Sequence, residues 1–382
     1  MNQTMTSSSI DHVVKVPEDL FGDYLVYSDT HFGHPRTKID NTISSLEKLW
    51  LSPWFKNLKA LFIAGDLYDR KLEYGSYEAG SALLHMMRLG DICQKYNISL
   101  YILEGTPSHD WRQASILPDI YKEMGYTFEY KYIDTITVVD IEAIEKRVLF
   151  VPDEMGTPEQ VYKEVLKLHK GSNFDMAIMH GSFRYQHPKF LAHLCHIEEN
   201  YLDLVDGLIH AGHIHQHTTY DRIVIQGSWD RYTHGDEGDK GALLVDSNNN
   251  WEFIKNTDAT IYRTIKINSN KKESTYKKLK VEIADLPIGS HIRVITKKGS
   301  VVKEAVVAIS AEHPEYNFSI KYDEVSDTNI RKSRLLQKRE ELGIQITPDN
   351  LERLIFAKIR SRDGEISKLD KDKIHNLLSE LL

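Results

Sequence analysis

Five short clusters of Asp and His punctuate the first 230 residues, and each follows an apolar run that reads as a buried strand. They are Ser28-Asp29-Thr30-His31, Gly65-Asp66-Leu67-Tyr68-Asp69, Gly105-Thr106-Pro107-Ser108-His109-Asp110, Met179-His180-Gly181 and Gly212-His213-Ile214-His215. The runs before them are Tyr24 to Ser28, Ala60 to Ala64, Ile98 to Leu103, Asp175 to Met179 and Leu204 to Ala211. Helical patterns lie between them. The clearest spans Tyr77 to Tyr96, with Leu83, Leu84, Met87 and Ile92 expected on one side. Another is expected to carry Trp50, Trp54 and Phe55, and a third runs from about Pro158 to Leu168. Alternation of strand and helix implies parallel strands joined by helical crossovers, which collects the strands' carboxyl ends, and whatever they carry, at one edge.

The middle of the chain differs. Phe128 to Val151 alternates in a strand-like way through Ile133, Ile136, Val138, Val139, Val148 and Phe150, which suggests hairpins. Arg222 to Ile225, Gly241 to Val245 and Trp251 to Ile254 are expected to finish a second sheet. The resulting fold class is α/β, a four-layer α/β/β/α sandwich over residues 21–258. Residues 1–20 read as an extension. A turn-like stretch at Asn256 to Ala259 precedes a small α/β module in 259–327. Residues 328–382 read as helical, with one apolar stripe of Leu351, Leu354, Ile355 and Ile359 and another of Ile374, Leu377, Leu378 and Leu381.

Composition excludes several classes. No run of about 18 apolar residues occurs, so no membrane span is expected. Met1 to Ile10 is polar, and Cys93 and Cys195 are the only cysteines, so neither secretion nor a disulfide framework is expected and the cytoplasm is the expected compartment. The net charge of −8 hides an asymmetry. Residues 261–382 hold 24 Lys and Arg against 18 Asp and Glu, while the rest holds 24 against 38. An acidic body suits divalent cations and a basic appendage suits a polyanion, although scatter among solvated surface charges gives the same totals.

Carboxylates and imidazoles in this mixture are ligands for a pair of divalent metals, the usual protein device for hydrolysing a phosphate ester. A single cluster is weak evidence, since a lone His is more often a hydrogen-bonded core or surface residue. Five clusters after five strand-like runs favour a metal site, and Gly65, Gly181 and Gly212 allow the backbone to turn sharply beside the ligands. Asp29 and His31 converge once extended geometry breaks, and Asp66 has two oxygens with which to touch both metals. His180, His213 and His215 supply neutral nitrogen donors, which moves the expected pair of ions from Mg²⁺ towards Mn²⁺, Fe²⁺ or Zn²⁺, with Mn²⁺ first. His109 is placed as a catalytic imidazole that donates to the phosphate or protonates the departing hydroxyl.

The order Asp-x-His, Gly-Asp-x-x-Asp, Gly…His-Asp, His-Gly, Gly-His-x-His resembles that of calcineurin-like metallophosphoesterases. Gly227-Ser228-Trp229-Asp230-Arg231 followed by Gly238-Asp239-Lys240-Gly241 looks like the Gly-Ser…Arg…Lys-Gly signature of the SbcD and Mre-eleven DNA repair nucleases. The resemblance covers roughly residues 20–255. It implies that Asp29, His31, Asp66, His180, His213 and His215 are metal ligands and His109 the catalytic histidine, with Asp69 beside the metals in a catalytic role. It further implies a DNA-contacting cap in 259–327, C-terminal helices that dock an SbcC-type coiled-coil ATPase, and a homodimer. The stripes in those helices fit packing on each other or on the cap equally well. Arg36, Lys38, Arg70, Lys71, Arg112 and Arg184 flank the clusters as candidate phosphate contacts.

One departure stands out. The family reads Gly-Asn-His-Asp, with the Asn amide on one metal, whereas this chain reads Gly105-Thr106-Pro107-Ser108-His109-Asp110. Ser108, directly before the His, is the expected substitute donor, with water as the alternative. The expected activity is a metal-dependent DNA exonuclease, and also endonuclease, in end processing, recombination or repair. The alternatives are a phosphatase or phosphodiesterase acting on a smaller ester, and a DNA-tethering subunit with an impaired site.

Overall fold

Strands that are apolar on both faces need a covering layer on each side. The computed structural model describes residues 21–153, 156–268, 271–297 and 300–322, and in it two six-stranded mixed sheets cover each other while helices cover their outer faces. The elements run β1 (Tyr24–Tyr27), α1 (Ile39–Trp50), β2 (Ala60–Ala64), α2 (Tyr77–Tyr96), β3 (Ser99–Leu103), α3 (Pro107–Asp110), α4 (Leu117–Glu123), β4 (Tyr130–Ile133), β5 (Thr137–Ile141) and β6 (Lys146–Val151). They continue with α5 (Pro158–His169), β7 (Met176–His180), α6 (Glu198–Leu202), β8 (Ile209–Gly212), β9 (Thr218–Tyr220), β10 (Ile223–Ile225), β11 (Gly241–Val245) and β12 (Trp251–Lys255).

The first sheet has the order β12-β11-β1-β2-β3-β4 and the second β5-β6-β7-β8-β10-β9. In the first, β1 to β4 are parallel and β11 runs antiparallel to β1. In the second, β6, β7, β8 and β10 are parallel, with β5 and β9 antiparallel at the edges. Alternation along each strand sorts the core into three apolar layers. Leu25, Leu61, Ile63 and Leu100 face α1 and α2. Tyr24, Val26, Phe62 and Tyr101 meet Phe150, Met176 and Ile178 between the sheets. Leu149, Ala177, Met179 and Ile209 pack on Val161 and Val165 of α5. Three apolar interfaces require four layers, as the sequence predicts.

Several details differ from expectation. β11 and β12 extend the first sheet rather than the second. Only β5 and β6 form a hairpin within 128–151, because β4 pairs in parallel with β3. The helix before β2 ends at Trp50, and Trp54 and Phe55 are buried in the loop that follows. α2 buries Ala82, Met86, Leu89 and Cys93, leaving Leu83 and Leu84 partly in solvent. The 4-3-4 spacing of that buried stripe is helical, but it includes the small Ala82 and Cys93, so the larger Leu83 and Leu84 pointed to the wrong face.

Beyond the sandwich, β13 (Tyr262–Ile267), β14 (His291–Thr296) and β15 (Asn317–Tyr322) form a three-stranded sheet, accompanied by α7 (Lys272–Ile283) and α8 (Ser300–Glu312). Ile265, Leu279, Ile283, Ile292, Val294, Val306 and Ile309 form its apolar cluster. Arg231 ties this module to the sandwich. Its guanidinium donates to Gly238 O at 2.9 Å and to Ala259 O and Thr260 O at 3.2 Å each. Among the described residues no helix is long and apolar enough to cross a membrane. The expected N-terminal extension, the end of the module beyond residue 322 and the helical region 328–382 with its two stripes lie outside the described residues.

Candidate metal centre

All five clusters leave their strands at the same edge, and the backbone turns abruptly there. Asp29, His31, Asp66 and His213 have φ of 50°, 45°, 49° and 90°. Non-glycine residues in this region cost on the order of 1–3 kcal/mol each and concentrate at functional sites. Tertiary bonds hold them. Asp29 N donates to Gly65 O at 3.0 Å and His31 N to Asp66 O at 3.1 Å. The Tyr232 hydroxyl reaches Asp29 O at 2.8 Å and Thr30 O at 2.7 Å. Ser28 Oγ donates to the Asp29 carboxylate, which also accepts from His213 N at 3.0 and 3.1 Å.

The side chains fall into three groups, Asp29–His31–His215, His31–Asp69–His109 and Asp66–His180–His213, the first two sharing His31, and in each the candidate donor atoms lie within 4.8 Å of one another. Every predicted site residue is therefore in one neighbourhood. Asp66 faces both sides of it. Its Oδ1 is 3.3 Å from His180 Nε2, and its Oδ2 is 3.9 Å from His31 Nε2 and 3.6 Å from His109 Nδ1. Asp69 Oδ1 sits 3.4 Å from His31 Nδ1, where it orients that imidazole. His109 Nδ1 is 3.2 Å from His31 Nδ1, on a side chain about one-third exposed.

The imidazoles are set up as ligands by their other ring nitrogen. His180 Nδ1 lies 2.8 Å from Ala64 O, so Nδ1 carries a proton and Nε2 is turned toward Asp66. His215 Nδ1 lies 3.2 Å from Asp236 Oδ2, which turns its Nε2 to within 3.1 Å of His31 Nε2. The two Nε2 atoms at that separation, with Asp29 Oδ1 at 3.8 and 3.9 Å, form a donor set that could hold a cation. Close packing leaves no room for extra atoms behind this array. A Cβ on Gly65, whose φ is +85°, would fall 2.1 Å from His180 Nδ1.

The electrostatics match a cation pocket. Burial opposes charge on His180, yet the carboxylates of Asp66, Asp29 and Asp153 more than offset it and lift its pKa well above the ordinary imidazole value. Asp66 is buried too, and His180, His31 and His109 still hold its pKa below the usual carboxylate range. Asp236 is held down to about 2, its burial outweighed by His215 and Lys240. Buried His and Asp groups here can hold a metal ion; its identity is not fixed by these contacts.

Three residues of the site were missed in the sequence. Asp236 orients His215 from a loop outside the five clusters. Asp153 follows β6, and its Oδ2 is 3.9 Å from His213 Nδ1. It ends a sixth apolar strand, a signal overlooked because no His accompanies it. Thr106 corrects the expectation for Ser108. Ser108 is exposed, whereas Thr106 Oγ1 points among Asp66, His180 and His213. The two added residues are accommodated in α3, where Asp110 accepts from Gly105 N at 2.7 Å and Tyr68 N at 2.8 Å and so pins the turn. Of the flanking cations, Arg36, Lys38 and Arg70 line one cavity with His34, His291 and Asn317. Arg184 is paired with Glu198 and Glu199 at 3.4 and 3.0 Å.

No family model and no curated protein matches this chain. Among solved structures, TT1561 of Thermus thermophilus is 13% identical over 61% of this chain and 98% of its own, with a TM-score of 0.37. A second solved chain is 10% identical over the same shares, with a TM-score of 0.40. Likeness at that level carries no argument about function, which rests on the geometry of the site.

Proposed function

We propose that the chain is a two-metal phosphodiesterase acting on DNA, an exonuclease with endonuclease activity, of the kind found in SbcD and Mre-eleven repair nucleases. The observation that carries the reading is Asp66, which presents one carboxylate oxygen to each of two His/Asp groups. Asp29, His31 and His215 would hold one ion and His180 and His213 the other, with Asp66 between them. A bound pair, Mn²⁺ in the first instance, would neutralise the phosphate and acidify the water that attacks it. The protein's own groups do the rest. His109, part-exposed at the rim, is placed to give a proton to the departing 3′ oxygen, and Asp69 keeps His31 turned inward. The cavity lined by Arg36, Lys38 and Arg70, with Asp40 and Glu78 also on its wall, has one more cation than anions to offer a nucleic-acid backbone. An SbcC-type ATPase partner and a homodimer follow from the sequence resemblance alone.

The test is cleavage of linear DNA by the purified protein across Mn²⁺, Mg²⁺, Fe²⁺ and Zn²⁺, alone and with a coiled-coil ATPase, beside His109→Asn. Cleavage by the parent, with loss of cleavage and retained metal in the variant, is the expected outcome. Turnover of p-nitrophenyl phosphate esters far above that of DNA would instead make it a small-ester phosphodiesterase.

A further inference from the structure

Thr106 occupies the N-cap of α3, where a threonine hydroxyl ordinarily accepts a bond from the first helical turn. Here it makes no such bond. Its Oγ1 turns instead into the Asp66–His180–His213 group, 3.2 Å from Asp153 Oδ2, 3.3 Å from Asp66 Oδ2, and 3.5 Å from both His180 Nε2 and His213 Nδ1. One hydroxyl proton serves at most one of these four partners well, and the separations are long for hydrogen bonds. The five atoms come from the ends of β2, β3, β6, β7 and β8, two of them in one sheet and three in the other. Two carboxylates, two imidazoles and a neutral oxygen that approach one another in this way could form a coordination shell.

We propose that the Asp153 carboxylate is a ligand of the cation held by Asp66, His180 and His213, with the Thr106 hydroxyl supplying a neutral oxygen beside it. The inference rests on the two-metal reading and deepens it. The added carboxylate makes this site more negative and richer in hard oxygen donors than an Asp–His–His set alone, so Mn²⁺ and Mg²⁺ gain relative to Zn²⁺.

Metal content and calorimetric titration of the full-length protein with Mn²⁺ and Zn²⁺ test it without recourse to activity. The parent should bind two Mn²⁺ per chain. Asp153→Asn should weaken one site by at least about tenfold, leave the other unchanged, and shift the weakened site's preference towards Zn²⁺. Thr106→Val should weaken the same site, and Thr106→Ser, which keeps the hydroxyl, should restore it. Spin coupling between paired Mn²⁺ ions should disappear in Asp153→Asn at metal concentrations that saturate the parent. If Asp153→Asn binds two Mn²⁺ with parental affinity, or Thr106→Ser behaves as Thr106→Val, the inference is overturned while the metal centre stands. A parent that binds no divalent ion overturns the metal centre itself. Thermal melting of each metal-free variant identifies any that fails to fold, and the threonine pair then decides.

Discussion

Replacing Gly212 by alanine tests whether the backbone behind His180 is part of the site. Gly212 is not in the left-handed region, so an alanine there meets no backbone strain. It meets atoms. The new Cβ would lie 2.2 Å from Ala64 O, 2.7 Å from His180 Nδ1 and 3.0 Å from the Ser28 Cβ. Ala64 O is the acceptor that fixes the His180 tautomer at 2.8 Å, so the methyl group pushes into the bond that aims Nε2 at Asp66. Reaching an ordinary contact requires a movement of about 1 Å between β8 and β2, in a layer packed without slack. Overpacking of that kind costs about 1–3 kcal/mol. Weakening a buried hydrogen bond adds about 1 kcal/mol. Urea unfolding of the metal-free protein should therefore show a loss of roughly 2–4 kcal/mol. Mn²⁺ titration should show affinity lowered about 10–100-fold, although no ligand atom has changed. Gly80→Ala is the control, since nothing lies within 4 Å of a Cβ there. A Gly212→Ala protein that unfolds within about 0.5 kcal/mol of the parent and binds Mn²⁺ as tightly would refute the argument that the site depends on this close approach.

Two further outcomes are expected. Asp236→Asn should weaken Mn²⁺ binding at the His31–His215 site by about tenfold, because the group that accepts from His215 Nδ1 loses its charge; calorimetry showing unchanged affinity would remove Asp236 from the site. His210, fully buried with Nδ1 on Val224 O and Nε2 near the Tyr24 hydroxyl, has its pKa pushed by burial down to about 4. A folded pKa below the unfolded value near 6.5 leaves stability intact above pH 6.5 and removes it as pH falls towards 4, at about 1.4 kcal/mol per unit. His210→Gln should be less stable at pH 7 yet lose about 1 kcal/mol less between pH 6.5 and 5.5, measured by urea unfolding without metal.

Much of this was legible in the sequence because the relevant signals are local. Apolar runs such as Ala60 to Ala64 are bounded by turns, and each cluster sits directly after its strand. What sequence could not supply was pairing. That β11 returns to β1 depends on which edge is open once both sheets exist. Thr106 rather than Ser108 faces the Asp66–His180–His213 group because α3 begins at Pro107 and carries Ser108 outward, a rotation that adjacency to His109 conceals. Asp153 escaped because no His accompanies it, and Asp236, two residues after His234, because no strand-like run precedes it; their role appears only when the second sheet and the Tyr232–Asp239 loop are placed against the first.

The donors are divided between the two sheets in a way that has its own consequence. Asp29, His31, Asp66, Thr106 and His109 follow strands of one sheet, and Asp153, His180, His213 and His215 follow strands of the other. The chain passes from the first to the second between β4 and β5 and returns only at β11. The Asp29–His31–His215 and Asp66–His180–His213 groups each draw on both sheets, so an ion held by either would need the docked pair, whereas His31, Asp69 and His109 all follow strands of the first sheet. Ions bound there would clasp the open edge of the sandwich, each adding about 2.7 kcal/mol to its cohesion at a hundredfold excess over Kd. Ion uptake during refolding would accordingly register one event, the closure of the two sheets upon each other.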